Sequence, residues 1–241
     1  MNRYDSFSEN VKRALESLKQ GKMILLFDME GREEETDFAI PALSVNPSDV
    51  RLMRKDGGGL ICVSVGPDAS EKLGLVFMAD MLRDAATVNP SLAGIIEKSG
   101  DIEYDSRSSF SLWVNHRNTR TGIPDNDRAL TISRVGEIVR DVMEGVDVKF
   151  GSEFRTPGHV ALLRAAEDLL DDRCGQTELS VALAKMAGIT PAMAICEMLD
   201  DHNGLALSKE DAIRYAEDNG LVFVEGKEVL EAYRTWNGMQ S

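Results

Sequence analysis

The sequence predicts an α/β fold, α+β in the way its strands pair: a three-layer α-β-α sandwich on a mixed, twisted sheet. Three observations predict it. Short apolar runs of strand length alternate with helix-periodic segments along the chain. Phe110, Leu112 and Val114 alternate with Ser109, Ser111 and Trp113 across 108–116, the pattern of a strand with two unlike faces. Tight turns follow one another too closely for every strand to be parallel.

The elements follow in order. Ser6 to Glu9 forms a capping-box pattern, and Val11, Ala14, Leu15 and Leu18 recur at helical spacing until Gly21. Met23 to Phe27 is a strand-length apolar run that empties into a charged loop, after which Phe38 to Leu43 is apolar again. Pro47 and Ser48 open a second helix ending near Gly57-Gly58-Gly59, and Leu60 to Val65 reads as a buried strand that contains Cys62. Between Asp68 and Ser99 helix and loop signals mix without clear periodicity. A turn over Gly122 to Asp127 precedes a helical stretch around Val135 to Met143. Leu179, Ala182, Leu183 and Met186 mark a helix closed by Gly188, and Ala192 to Met198 has strand composition. Ser208 caps a helix running to Asn219, Leu221 to Val224 supplies a last short strand, and a polar tail follows. No linker or repeat divides residues 1–241, which are read as a single domain.

Composition narrows the function. The chain carries 41 acidic against 27 basic residues, a net charge of −14. That balance repels phosphate backbones and anionic lipids, so neither nucleic acid nor a membrane is an expected partner. Met1 to Asn10 lacks an apolar signal core, and no stretch approaches the roughly 18 apolar residues of a membrane helix. Cys62, Cys174 and Cys196 form no CxxC pair or even framework, which points to a reducing, cytoplasmic setting.

Several motifs carry chemistry. From Asp28 to Asp37 six carboxylates fall within ten residues. Such a density repels itself unless it is solvated or neutralised by a cation, and on composition alone a solvated charge run and a metal site are equally open. Its position at the end of an apolar strand favours a site. Hard oxygen donors suit Mg2+, whereas zinc would want the cysteines and histidines that are few and scattered here. Arg173-Cys174-Gly175-Gln176-Thr177-Glu178 precedes a helix, where free N–H groups, a guanidinium and a hydroxyl make either a phosphate cradle or an ordinary capped end. Pro157-Gly158-His159 is a turn with one of three histidines, a residue more often structural than catalytic. Glu197 stands inside an apolar run, so it needs a partner, a metal or a raised pKa. Gly57-Gly58-Gly59 lacks the lysine and hydroxyl of a P-loop and reads as a turn allowing close backbone approach.

Taken in order, Asp28 to Asp37, Gly58 to Cys62, Asn115-His116-Arg117 with Thr121 to Arg128, Pro157 to Val160, Arg173 to Glu178 and Ile195-Cys196-Glu197 resemble the 3,4-dihydroxy-2-butanone 4-phosphate synthases of riboflavin biosynthesis, in their stand-alone archaeal-type form. The resemblance covers nearly the whole chain. It implies a Mg2+-dependent lyase, with Mn2+ as an alternative ion, that converts D-ribulose 5-phosphate to L-3,4-dihydroxy-2-butanone 4-phosphate and formate. It implies that Glu33 ligates the metal, that Arg32, Glu33, Asp37, Thr121 and Glu197 contact the sugar, and that Arg173, Gly175 and Thr177 hold the phosphate. Glu197 and His159 complete the acid/base set, Asp37 assists, and Glu35 and Cys62 line the pocket. A homodimer with the site near the subunit interface is implied too. At one position the chain departs from the family: Gln176 stands where a metal-ligating histidine is usual, offering an amide oxygen that Mg2+ accepts. The alternative reading is a weakened or silent sugar-phosphate-binding paralogue. A nucleotide- or RNA-modifying protein of like architecture is a third, opposed by the net charge.

Overall fold

In this computed structural model, which describes residues 6–238, seven strands form one mixed sheet in the order β4-β5-β3-β6-β2-β1-β7. The strands are β1 (Ile24–Phe27), β2 (Thr36–Pro41), β3 (Cys62–Val65), β4 (Phe110–His116), β5 (Phe154–Arg164), β6 (Ala192–Glu197) and β7 (Val222–Glu225). Only β1 with β7 and β3 with β5 run parallel; the other neighbours are antiparallel.

The helices are α1 (Glu9–Lys19), α2 (Pro47–Leu52), α3 (Pro67–Leu73), α4 (Met78–Ala86), α5 (Asp125–Met143), α6 (Phe150–Glu153), α7 (Gln176–Ala187), α8 (Lys209–Asn219) and α9 (Gly226–Gly238). Strand alternation divides the core in two. Ile24, Leu26, Ala39, Cys62, Ala161 and Ile195 point to one face, under α1, α7 and α9. Leu25, Phe38, Ile40, Val63, Leu162 and Cys196 point to the other, where α2 and α5 pack with Val50 and Val135. The three-layer sandwich on a mixed sheet is therefore what the chain forms.

Several expectations shift. The first helix is capped by Ser8, whose hydroxyl accepts the Val11 N–H at 3.2 Å, two residues after the expected Ser6. The helix expected around Val135 starts at Asp125, inside the segment read as a turn, because Pro124 ends the loop and Asp125 and Asp127 favour a helix N-terminus. The longest strand, β5, went unread because Pro157 and Gly158 signal a break. Both signals hold in part: pairing with β4 jumps from Val114↔Val160 to Asn115↔Arg155, so residues 156–159 bulge from an otherwise continuous strand. The polar tail is largely α9, which buries Val229, Ala232, Tyr233 and Trp236 among polar residues facing water. Among the described residues no helix is long and apolar enough to cross a membrane.

α9 begins against the acidic loop. A Cβ on Gly226 would lie 2.0 Å from the Asp28 carbonyl oxygen, so only glycine permits this approach. Gly226→Ala is expected to destabilise the protein by about 1–3 kcal/mol in urea titration, since backbone must move; a change within about 0.5 kcal/mol, the range of an ordinary surface substitution, would contradict this packing.

Candidate active site

The site starts where β1 ends. Asp28 is fully buried, yet its carboxylate is satisfied: it accepts the Glu33 and Glu35 N–H groups and Arg32 Nη1, each at 3.1 Å. The Asp28 N–H donates to the Glu35 carbonyl at 3.0 Å, closing the loop before β2. The turn uses left-handed backbone at Gly31 (φ 78°) and Glu34 (φ 59°). The acidic run is thus neither a solvated tail nor a heap of repelling charges, but a loop tied around one of its own carboxylates.

On the sheet, Asp37 of β2 stands opposite Glu197 of β6. Like charges facing each other are costly. Asp37 is 1% exposed, and burial above all, then Glu197 and Glu35, push its carboxyl well above the usual range. Burial likewise raises Glu197, against the pull of the Leu60 N–H, which donates to Glu197 Oε2 at 2.7 Å. Glu35 is pushed up to about 7, by burial first and then by Glu33 and Glu197. The partner that the sequence demanded for Glu197 is a backbone donor just after the glycine run. A π-helical turn, Met53–Gly57, leads into Gly58 at φ 87° and then Gly59, where a Cβ would lie 2.3 Å from Glu197 Oε2. Gly57-Gly58-Gly59 is therefore the close-approach turn the sequence suggested, and what approaches is the candidate acid.

The opposite wall is basic. Gly175 caps α7 without any side-chain cap, so the first-turn N–H groups have no capping acceptor, and the Arg173 and Arg32 guanidiniums lie over that glycine. A Cβ there would come within 2.3 Å of Arg173 Nη1 and 2.8 Å of Arg32 Nη2. Both arginines converge on Asp105 Oδ2, at 2.5 Å from Arg32 Nη2 and 2.6 Å from Arg173 Nε, and Arg173 also pairs with the buried Glu178. Between the walls lies a cavity of about 150 Å³, lined by Glu33, Asp37, Cys62, Gln176, Thr177 and Glu197 with Arg173 and the 102–110 segment. Burial raises the Cys62 thiol well above its ordinary value, with Glu197 and Asp37 adding to it, so Cys62 is a neutral wall rather than a thiolate nucleophile.

Gln176 is the residue that joins the walls. Its Nε2 donates to the Leu26 carbonyl at 3.0 Å and the Glu35 carbonyl at 3.1 Å, spending both amide hydrogens on the two ends of the acidic loop. Its Oε1 is left buried with no partner, as is Asp37 Oδ1. Among the described residues no three histidine, cysteine, aspartate or glutamate side chains converge as a metal cage. A hard cation that keeps several waters needs no such cage, and an orphaned amide oxygen in the cavity that Glu33 also lines fits it.

Two expected residues are elsewhere. His159 and Thr121 do not line the cavity. His159 sits exposed on the β5 bulge, and Asn115 ties it to the Thr121 turn: Asn115 Oδ1 accepts the His159 N–H at 2.8 Å, while Asn115 Nδ2 reaches the Thr121 carbonyl at 3.4 Å. Arg32, Glu35 and Gly175 also stand behind the lining rather than in it. Sequence reasoning missed Asp105, Tyr104, Arg107 and Ser108, which come from a segment with no periodicity and offer no local signal. It missed Glu178 and Asn115 as well, although both lie within quoted motifs.

Carboxylates facing guanidiniums and an open helix N-terminus define an enzyme site for a small anionic substrate. The sequence profile described as 3,4-dihydroxy-2-butanone 4-phosphate synthase matches residues 12–232. The 3,4-dihydroxy-2-butanone 4-phosphate synthase of Methanosarcina acetivorans is 62% identical over 233 residues, covering 97% of this chain and 94% of that protein. The synthase of Archaeoglobus fulgidus is 57% identical over 229 residues, 95% of this chain and 96% of the relative. A crystal structure of such a synthase in complex with two magnesium ions superposes with a TM-score of 0.72 at 25% identity, covering 90% of this chain and 93% of that one. The Candida albicans synthase superposes at 0.69 with 26% identity over 92% and 95%. The chain belongs to the 3,4-dihydroxy-2-butanone 4-phosphate synthase family and is a lyase of riboflavin biosynthesis. Nothing in these comparisons favours the silent paralogue.

Gly59→Ala is expected to leave the circular dichroism spectrum native while cutting turnover on the order of 100-fold, because displacing Glu197 by about an ångström misaligns the reacting groups. Full turnover in a folded variant would remove Glu197 from the chemistry. A second expectation concerns pH. Glu35 binds its proton more tightly folded (about 7) than unfolded (4.5), and Asp37 and Glu197 shift the same way. Within that window the folded state holds more protons, so without divalent ions stability falls as pH rises from about 4.5 to about 7. Carboxylates lowered by ion pairs, such as Glu153 and Asp125, act only below it. A melting temperature that rises steadily through the window would contradict the assignment.

Proposed function

We propose that this chain converts D-ribulose 5-phosphate to L-3,4-dihydroxy-2-butanone 4-phosphate and formate with a divalent cation, at a cavity completed by a second copy of the chain. The observation that carries the proposal is the orphaned Gln176 Oε1 at the α7 N-terminus, which lines one small cavity together with Glu33 and Arg173.

Glu33 and Gln176 would hold the ion, Mg2+ being preferred because the donors are hard oxygens and Mn2+ sharing that preference. When bound, the ion supplies Lewis-acid polarisation of the ketose carbonyl. The phosphate is taken by Arg173 with the N–H groups beyond Gly175 and the Thr177 hydroxyl, a helix N-terminus that favours negative charge. Asp37 faces the sugar hydroxyls from the cavity wall, and Arg32 acts from behind it by holding Asp105. Enolisation requires a base near neutral pH: Glu35, pushed up to about 7 behind the cavity wall, falls in that range, and Glu197 and Asp37 in the wall are raised in the same direction. The C1 hydroxyl then leaves as water, the carbon skeleton rearranges, and returning water releases C4 as formate. The two products together contain the atoms of the substrate, so no external oxidant or reductant is needed.

His159 and Thr121 enter from the partner copy. The support is that both are held rigidly by Asn115, exposed and away from the cavity of their own chain, four residues along β5 from Leu163, which does line it. A twofold homodimer that exchanges these groups makes two complete sites. The three cysteines are free, in keeping with a cytoplasmic setting.

Incubation with ribulose 5-phosphate and Mg2+ is expected to release formate in step with substrate loss; tight binding without formate would reverse the functional reading. Mixing Glu33→Gln with His159→Gln chains, each inactive alone, is expected to restore about a quarter of the wild-type sites after subunit exchange, since half the dimers are mixed and each then holds one intact site. No recovery despite demonstrated exchange would place both residues in the same chain's site.

A further inference from the structure

The Asn115 side chain sits at the centre of the unit that carries His159, and its bonds decide more than position. Asn115 is 2% exposed. Its Oδ1 accepts the His159 backbone N–H at 2.8 Å, and its Nδ2 faces the Thr121 carbonyl at 3.4 Å and His159 Nδ1 at 3.1 Å. Turning the amide over would set its oxygen against the Thr121 carbonyl oxygen and its NH2 against the His159 N–H, replacing attraction by repulsion on both sides. The network therefore fixes which end is nitrogen.

The NH2 group can only donate. One hydrogen goes to the Thr121 carbonyl, and the other points at His159 Nδ1, which must accept it and so carries no proton. In the neutral ring the single N–H is then on Nε2. That nitrogen has no partner among the described residues, and the residue is exposed.

Close packing enforces the arrangement. Gly122, at φ 92°, lies so near that a Cβ would be 2.1 Å from Asn115 Nδ2, and a Cβ on Gly158 would be 2.0 Å from the Val114 carbonyl carbon. The Thr121 turn is held in turn by Asp127 Oδ2, which accepts the Thr121 N–H at 3.2 Å and the Gly122 N–H at 2.8 Å. The amide has no room to choose another pairing.

We infer that Asn115 is the positioning residue that locks His159 in its Nε2–H form, so that His159 meets the substrate as a neutral hydrogen-bond donor to an oxygen and not as a base. The base of the reaction then belongs to the carboxylates of the opposite wall. A neutral imidazole donor suits an enolisation, where negative charge grows on oxygen and a fixed N–H stabilises it. The inference rests on the proposed role of His159 at the partner's cavity.

Nitrogen-15 NMR of the histidine-labelled full-length protein tests it, with His159 assigned by the signal lost in His159→Gln. The neutral His159 ring is expected to show a bare Nδ1 and a protonated Nε2. In Asn115→Asp, which keeps an acceptor for the His159 N–H but removes the NH2, the proton is expected to move to Nδ1. With that swap, kcat is expected to fall by at least about tenfold while KM for ribulose 5-phosphate stays within about twofold, because the phosphate is held elsewhere. A protonated Nδ1 in the wild-type ring overturns the inference without needing any variant to fold. A swapped tautomer with unchanged kcat overturns the donor role while leaving the structural lock. Full turnover by His159→Gln overturns instead the reading of His159 on which the inference stands, whatever the spectrum shows.

Discussion

The site depends on the burial of the Asp28 carboxylate. A buried charge without partners would cost several kcal/mol, and Asp28 avoids that by drawing two backbone N–H groups and one guanidinium around itself. Doing so bends the chain into the loop that brings Glu33 to the cavity, and it orients Arg32. From Arg32 the charges continue in alternation through Asp105, Arg173 and Glu178. Two guanidiniums are thereby fixed side by side over Gly175, balanced by carboxylates rather than by water. The acidic loop and the basic wall are two ends of one ion-pair chain.

Gln176 closes the circuit from the other side. By hydrogen-bonding the Leu26 carbonyl near the end of β1 and the Glu35 carbonyl just before β2 it clamps the loop from both sides, a task that uses two donors. A neutral histidine has one N–H and could not do both. Gln176 thus serves both sides: the amide holds the loop with its nitrogen and leaves an oxygen for the cavity.

Much of this was legible in the sequence, for reasons particular to each residue. The acidic run, the glycine turn and Glu197 announced themselves because a dense charge run, three successive glycines and a carboxylate in an apolar strand each break a local rule that must be answered elsewhere. β1, β3 and β6 were legible as apolar runs of strand length, and α7 from its helical spacing. β5 was not, since a bulge places Pro157 and Gly158 inside a strand, and α9 was not, since four buried residues are thinly spread through a polar stretch. Asp105 is invisible locally because its meaning comes from two arginines remote in the chain. The separation of His159 from the cavity that Glu33 lines could not be read at all: order along a chain does not say which side chains share a cavity.

The proposed function turns on Glu33 and Gln176 together holding the ion. A high-resolution structure with Mg2+ and ribulose 5-phosphate tests it most directly. Gln176 Oε1 and a Glu33 oxygen are expected at about 2.0–2.1 Å from an ion that also touches the sugar. An ion bound without Gln176, its Oε1 capped instead by water, would contradict it.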